Sequence, residues 1–197
     1  ESIAWLLNIR GGDVPRTPLA LSFLVLQSDG AARLFIDQRK LTQAVRLHLG
    51  NSVALSEKGD LSDALRALGA AGATVRVDPA ASPARVIEVL EEAGATLSRG
   101  EDPVVMPRAC KNPVELDGTR AAHLRDAVAF ARFLHWFSLN ARSGSLDEMT
   151  AADALRGFRA EHGMFRDLSF DTISGSGPNG AIVHYRVTPQ SNRVMGD

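Results

Sequence analysis

Between Leu41 and Gly94 the apolar residues keep changing period, and that alternation leaves the chain few architectures to choose from. Leu41 to Leu49 repeats at helical spacing and stops at Gly50; Leu61 to Leu68 does the same ahead of Gly69. Val53 to Leu55 and Thr74 to Asp78 predict short strands between them. Pro83 to Ala93 predicts a further helix, with Ser82 at its N-cap, Pro83 at its first position and Gly94 just past its end. Strand and helix alternating in short units imply a layered α/β sheet with helices on its faces. Ahead of this region, Ile3 to Ile9 is apolar with little alternation and predicts a strand buried on both faces. The loop Arg10 to Pro18 follows. Leu19 to Gln27 and Arg33 to Asp37 then predict an antiparallel pair turning at Asp29-Gly30. This first domain is expected to occupy residues 1–100 and to be incomplete at its start.

Residues 101–113 carry three prolines and predict a linker, because each proline biases the residue before it away from helix. The pattern then changes, and residues 114–197 predict a second, α+β unit. Asn112 and Glu115 stand in capping-box positions around Pro113, opening a helix that is expected to reach Ala141. Its apolar stripe includes Leu124, Val128, Leu134 and Phe137, with Phe133 and Trp136 read as core. Ser145 and Glu148 form a second S-x-x-E box, so another helix is expected from Ser145 to just before Gly163, burying Ala151, Leu155 and Phe158. Ser169 to Ile173 and Ala181 to Val187 predict two closing strands.

Composition removes several function classes. An apolar fraction of 45% and a formal net charge of −1, with acids and bases mixed, offer no basic groove for nucleic acid. The longest apolar run, Leu19 to Leu26, is too short to span a bilayer, so no membrane partner is expected. Cys110 is the only cysteine, which excludes an intrachain disulfide and a thiol-rich zinc site and fits a reducing compartment. It is read as an inert, partly buried thiol. The first residues show no signal peptide, and both ends are expected to be internal to a longer chain.

Few motifs carry chemistry. Gly175 to Gly180 satisfies G-x-G-x-x-G, but the segment after it is β-branched and Pro178 removes a backbone N–H, so a turn is expected and not a dinucleotide loop. The five histidines show no metal-ligand spacing, and His48, His123, His135 and His162 read as helix-borne structural residues. Glu91-Glu92 and Asp147-Glu148 read as solvated or capping acids. His184 stands apart: in a strand it would share a face with Ile182 and Arg186 beside a glycine-rich turn. It is either a cleft residue or a solvent-facing strand histidine.

Three stretches, ESIAWLLNIRGGDVPRTP (Glu1 to Pro18), PRACKNPVELDGTRAAHLRDAVA (Pro107 to Ala129) and DLSFDTISGSGPNGAIVHYRVTPQSNR (Asp167 to Arg193), resemble the three-domain Xaa-Pro aminopeptidases, in that order along the chain. The resemblance implies a creatinase N-terminal-like α/β domain followed by the first part of a pita-bread catalytic domain. It implies a peptidase that removes the residue preceding a second-position proline, with two divalent metals, commonly manganese, activating a bridging water. On this resemblance His184 matches a catalytic histidine that contacts substrate or transition state, and Phe158 matches an aromatic of the substrate pocket. The metal ligands of the family have no counterpart before Asp197, so this chain alone is expected to be inactive. The intact parent is expected to be a cytoplasmic homodimer acting on peptides. The alternative is a non-catalytic peptide- or protein-binding module of the same fold.

Overall fold

The computed structural model describes residues 1–196. Main-chain pairing divides the first part of the chain into two small sheets. Strand β1 (Phe23–Leu26) runs antiparallel to β2 (Ala32–Phe35), with Gly30 at φ +90 in the turn between them. Strand β3 (Val53–Ser56) pairs parallel with β2, and a parallel pair needs a crossover. The crossover here is α2 (Gln43–Leu49), capped by Thr42, whose hydroxyl accepts from Val45 N. The second sheet pairs β4 (Thr74–Val77) parallel with β5 (Thr96–Arg99) across α4 (Ala84–Glu92). Helix α3 (Leu61–Ala70) leads into it. Two apolar clusters hold these layers: Ile9, Leu34, Ile36, Leu41, Leu49 and Val53 in one, and Leu65, Val77, Val89 and Leu90 in the other.

Several sequence expectations need correction here. Ile3 to Ile9 is not a strand: α1 (Ser2–Leu6) makes a single helical turn, and Ile9 N returns to Ala4 O at 3.0 Å. A continuous short apolar run does not distinguish the two states by period, and here Ala4 and Ile9 turn inward while Leu6 faces water. Only Phe23–Leu26 of the predicted Leu19–Gln27 strand is paired, because Leu19 and Leu21 are tied to Asp13 through a main-chain and a carboxylate hydrogen bond. Helix α4 begins one residue late, with Pro83 and not Ser82 at its cap. Residues 101–113 contain a short helix, α5 (Val105–Ala109), where Pro107 sits in the first turn and forfeits no helical bond. Cys110 follows it and is exposed, not partly buried.

The chain divides into two compact units, Glu1–Lys111 and Asn112–Asp197. The second is built on α6 (Pro113–Asn140), a helix of 28 residues that opens on the expected capping box: Asn112 accepts from Glu115 N and Glu115 accepts from Asn112 N, both at 2.9 Å. Helix α7 (Glu148–Ala160) packs on it through three layers. Arg159 grips Asp126 at 2.6 and 3.0 Å, Arg132 meets Glu161, and the ring of Phe158 stands edge-on to Trp136. The cap of α7 is Asp147, which accepts from Thr150 N at 2.7 Å; the predicted Ser145 box is not made, its hydroxyl lying 2.8 Å from that of Ser143. Only Ala129 of α6 is buried among the described residues, while Leu124 (70% exposed), Val128 and Leu139 face outward, so the helix is apolar on more than one face. No helix among the described residues is long and apolar enough to cross a membrane.

The two closing strands are absent. Gly177–Ala181 forms a 3-10 turn and the flanking segments are irregular. A strand needs a neighbour for its N–H and C=O groups, and among the described residues of this unit only an isolated bridge, Asp147 to Val194, is found. The backbone closes turns instead, with Ile182 N on Asn179 O and Tyr185 N on Ile182 O, both at 3.2 Å.

Two glycines separate packing from propensity. A Cβ on buried Gly69 would lie 2.7 Å from the carbonyl carbon of Ala93, whereas one on Gly118, inside α6, would meet nothing within 4 Å. Gly69→Ala is expected to lower stability by about 1–3 kcal/mol, and Gly118→Ala to raise it by up to about 1 kcal/mol, both read from urea midpoints.

Candidate functional site

Glu148 is the first residue of α7, and because Asp147 already caps that helix, its carboxylate is released from capping and turns inward. Its residue is 0% exposed, and every oxygen is used. Oε1 accepts from Ser176 N at 2.6 Å and Asn179 Nδ2 at 3.0 Å. Oε2 accepts from the Tyr185 hydroxyl at 2.8 Å and from Arg193 N at 3.2 Å. Asn179 gives its other amide proton to Ser191 O at 3.0 Å, and the Ser191 hydroxyl lies 3.0 Å from the Tyr185 oxygen. Glu148 N in turn donates to Arg193 O. One carboxylate thus fastens both ends of the loop 176–193 to the start of a helix whose N-terminal dipole favours a negative charge there.

Burial by itself pushes the Glu148 carboxyl up, but the hydrogen bonds from Ser176, Asn179, Tyr185 and Arg193 outweigh it and hold the group below its ordinary value. The Tyr185 phenol moves the other way: burial raises it, the Glu148 charge raises it further, and Ser191 offsets only part. Tyr185 therefore stays a protonated donor. The glycines of this loop serve the same packing. Gly175 comes within 3.0 Å of Gly180 N at its Cβ position, and Gly177 takes φ +54.

The fastened loop presents His184. It is exposed, its ring makes no hydrogen bond among the described residues, and its backbone sits at φ +55 in the left-handed region. Ile182 and Val183 beside it also face outward, Val183 at 82%. Arg186, expected to share a strand face with His184, pairs with Asp171 at 2.8 Å. Phe158 lies elsewhere, half-buried between α6 and α7 with the Arg132 guanidinium 5.1 Å above its ring. Two clefts beside Asp126, Arg159 and Phe165 are lined by neither His184 nor Phe158. No group of three His, Cys, Asp or Glu side chains able to hold a metal is found among the described residues. His48 bonds Leu7 O, 41 positions away, and His123 bonds Thr119 O within its own helix; both contacts are structural.

Sequence reading missed Glu148, taking it for a capping acid. The available hint was the aspartate directly before it, which makes the better cap and leaves the glutamate without that task.

With this architecture in place, comparison with known proteins is direct. Residues 1–115 match the Creatinase/Prolidase N-terminal domain and residues 117–197 match Metallopeptidase family M24. The chain belongs to the creatinase/prolidase family, an α/β domain leading into the start of the pita-bread fold of family M24. Within that class its relatives are aminopeptidases P. Aminopeptidase P2 of Arabidopsis thaliana is 34% identical over 97% of this chain and 31% of its own length. A probable Xaa-Pro aminopeptidase P of Coccidioides posadasii is 38% identical over 94% of the chain and 32% of its own length. The crystal structure of X-prolyl aminopeptidase from Caenorhabditis elegans, described as a cytosolic enzyme with a di-nuclear active site, superimposes with a TM-score of 0.85 at 33% identity, over 96% of this chain and 32% of that one. The chain spans about a third of the length of these relatives.

Because Glu148 is held below its ordinary value of 4.5, its contribution to stability is present above that value and is lost as pH falls through it toward the lower native one. Unfolding in urea, followed by Trp136 fluorescence in a Trp5→Phe background, is expected to show this acid loss. Glu148→Gln is expected to cost about 1–3 kcal/mol at neutral pH and to flatten the acid dependence.

Proposed function

We propose that these residues belong to a metal-dependent aminopeptidase that releases the N-terminal residue from peptides with proline in second position. The observation that carries this reading is the collinear match: both family domains and relatives named for Xaa-Pro cleavage align along nearly the whole chain. In this reading residues 1–100 are the middle domain, 101–113 join it to the next, and 114–197 begin the catalytic domain. His184 contacts substrate or transition state, supported by its outward, unbonded ring on a loop that the Glu148 network holds in place. Phe158 belongs to the wall of the substrate pocket, a role that would need its ring to be reached from the α6–α7 interface. The intact protein would bind two divalent ions, manganese by preference, and act as a homodimer. It would work in the cytoplasm, in keeping with the cytosolic Caenorhabditis elegans enzyme.

Two measurements test this. The full-length protein with added manganese should hydrolyse an Xaa-Pro peptide, and residues 1–197 alone should not. In the full-length protein His184→Ala should lower kcat by about 100-fold or more with bound metal unchanged. A full-length protein that binds Xaa-Pro peptides without cleaving them would make this fold a binding module, and loss of metal on His184 substitution would overturn the substrate-side role.

A further inference from the structure

His184 has little of its own to hold it in place. Its ring makes no hydrogen bond among the described residues, and its backbone sits at φ +55, a region that a residue with a Cβ rarely adopts. Such a conformation persists only where the surroundings over-determine it. Two turns surround it: Ile182 N closes on Asn179 O, and Tyr185 N closes on Ile182 O. Turn bonds in an exposed segment compete with water and hold little by themselves. What holds these turns is the fastening of their outer residues. Asn179 Nδ2 donates to Glu148 Oε1 at 3.0 Å and lies 3.2 Å from Oε2, and the Tyr185 hydroxyl donates to Oε2 at 2.8 Å. The residues that frame His184 on either side therefore end on one buried carboxylate.

Tyr185 has the greater leverage. It adjoins His184, is itself buried, and reaches its hydroxyl through a rigid ring on two rotatable bonds, so a fixed hydroxyl fixes the backbone beside His184. Ser191 holds the same phenol oxygen from another side, with its hydroxyl 3.0 Å away. The other nearby anchor is the pair of Arg186 with Asp171, but the Arg186 side chain is 77% exposed and such a pair is screened by solvent. Hydrogen bonds to a buried charge are the stronger restraint.

We propose that Glu148, acting through Asn179 and Tyr185, is the positioning residue for His184: it sets the turn that aims the imidazole at the substrate. This rests on the reading above that His184 meets substrate or transition state, and it adds a residue that acts on the reaction without touching the substrate. The imidazole inherits its place from the backbone, and a reacting group misplaced by about 1 Å costs on the order of 100-fold in rate.

A double-mutant cycle in the full-length, manganese-loaded protein tests this, with every variant assayed where circular dichroism shows it folded. Glu148→Gln and Tyr185→Phe are each expected to lower kcat for an Xaa-Pro peptide by about 10- to 100-fold, with bound metal unchanged. In a His184→Ala background the same substitutions are expected to change kcat by less than about twofold, because the group they position is gone. A merely structural role predicts equal losses in both backgrounds, and that result overturns the proposal; so does an undiminished kcat with His184 present. Tyr185→Phe deletes only a hydroxyl and carries the test alone should Glu148→Gln not fold. Failure of the underlying reading is seen separately, before position 148 or 185 is changed: an unsubstituted protein that cleaves no Xaa-Pro peptide, or a His184→Ala variant as fast as the parent, removes the role of His184 and this proposal with it.

Discussion

The order of the second unit rests on a negative charge taken out of water. A buried carboxylate is tolerable only when its oxygens are fully engaged, and Glu148 is engaged by two main-chain amides, an amide side chain and a phenol. These donors come from four positions in a loop that has no strand or helix long enough to organise itself. The acid therefore acts as a template: the loop takes the one shape that brings Ser176, Asn179, Tyr185 and Arg193 to the same point. Apolar contact could not impose that shape, because the loop places little besides Tyr185 in the interior. The exposed position of His184 follows from this fastening, since the turn from Ile182 to Tyr185 must carry the phenol inward and so carries its neighbour outward.

How far the sequence discloses this structure depends on whether the signal is local. The helices α2 and α3 end at the glycines their periodicity predicts or within two residues of them, and α6 begins at its capping box, because caps and periods are written in adjacent residues. Strand β5 is not legible in this way, because Thr96, Ser98 and Arg99 give it no apolar alternation; its pairing with β4 makes it a strand. The closing segments depart in the opposite direction. Ala181 to Val187 carries strong strand propensity, yet propensity is worth little without a partner edge, and turns supply the hydrogen bonds instead.

The candidate site was legible to a similar degree. His184 could be singled out from its context, but the packing of Phe158 on Trp136 and the pairing of Arg186 with Asp171 are tertiary facts that no spacing encodes. The Glu148 network joins residues up to 45 positions apart. Its polar members resemble ordinary surface residues until the fold converges them. Opposite outcomes in the two units have one cause: in the first, unpaired edges remain as edges, and in the second, unpaired segments fold back into turns.

The left-handed backbone of His184 has a consequence for how that residue can be varied. Two demands fall on one position, a φ of +55 and an imidazole ring, and most amino acids fail both at once. Asparagine and glycine fail only the second, because they enter the left-handed region readily. A library at this position would therefore sort along two axes, with asparagine and glycine keeping the loop's shape while discarding its chemistry. β-Branched residues would disturb the turn and, through Tyr185, the buried acid behind it. Position 184 reports on geometry and on chemistry separately, provided the substituents are chosen by dihedral angle before charge.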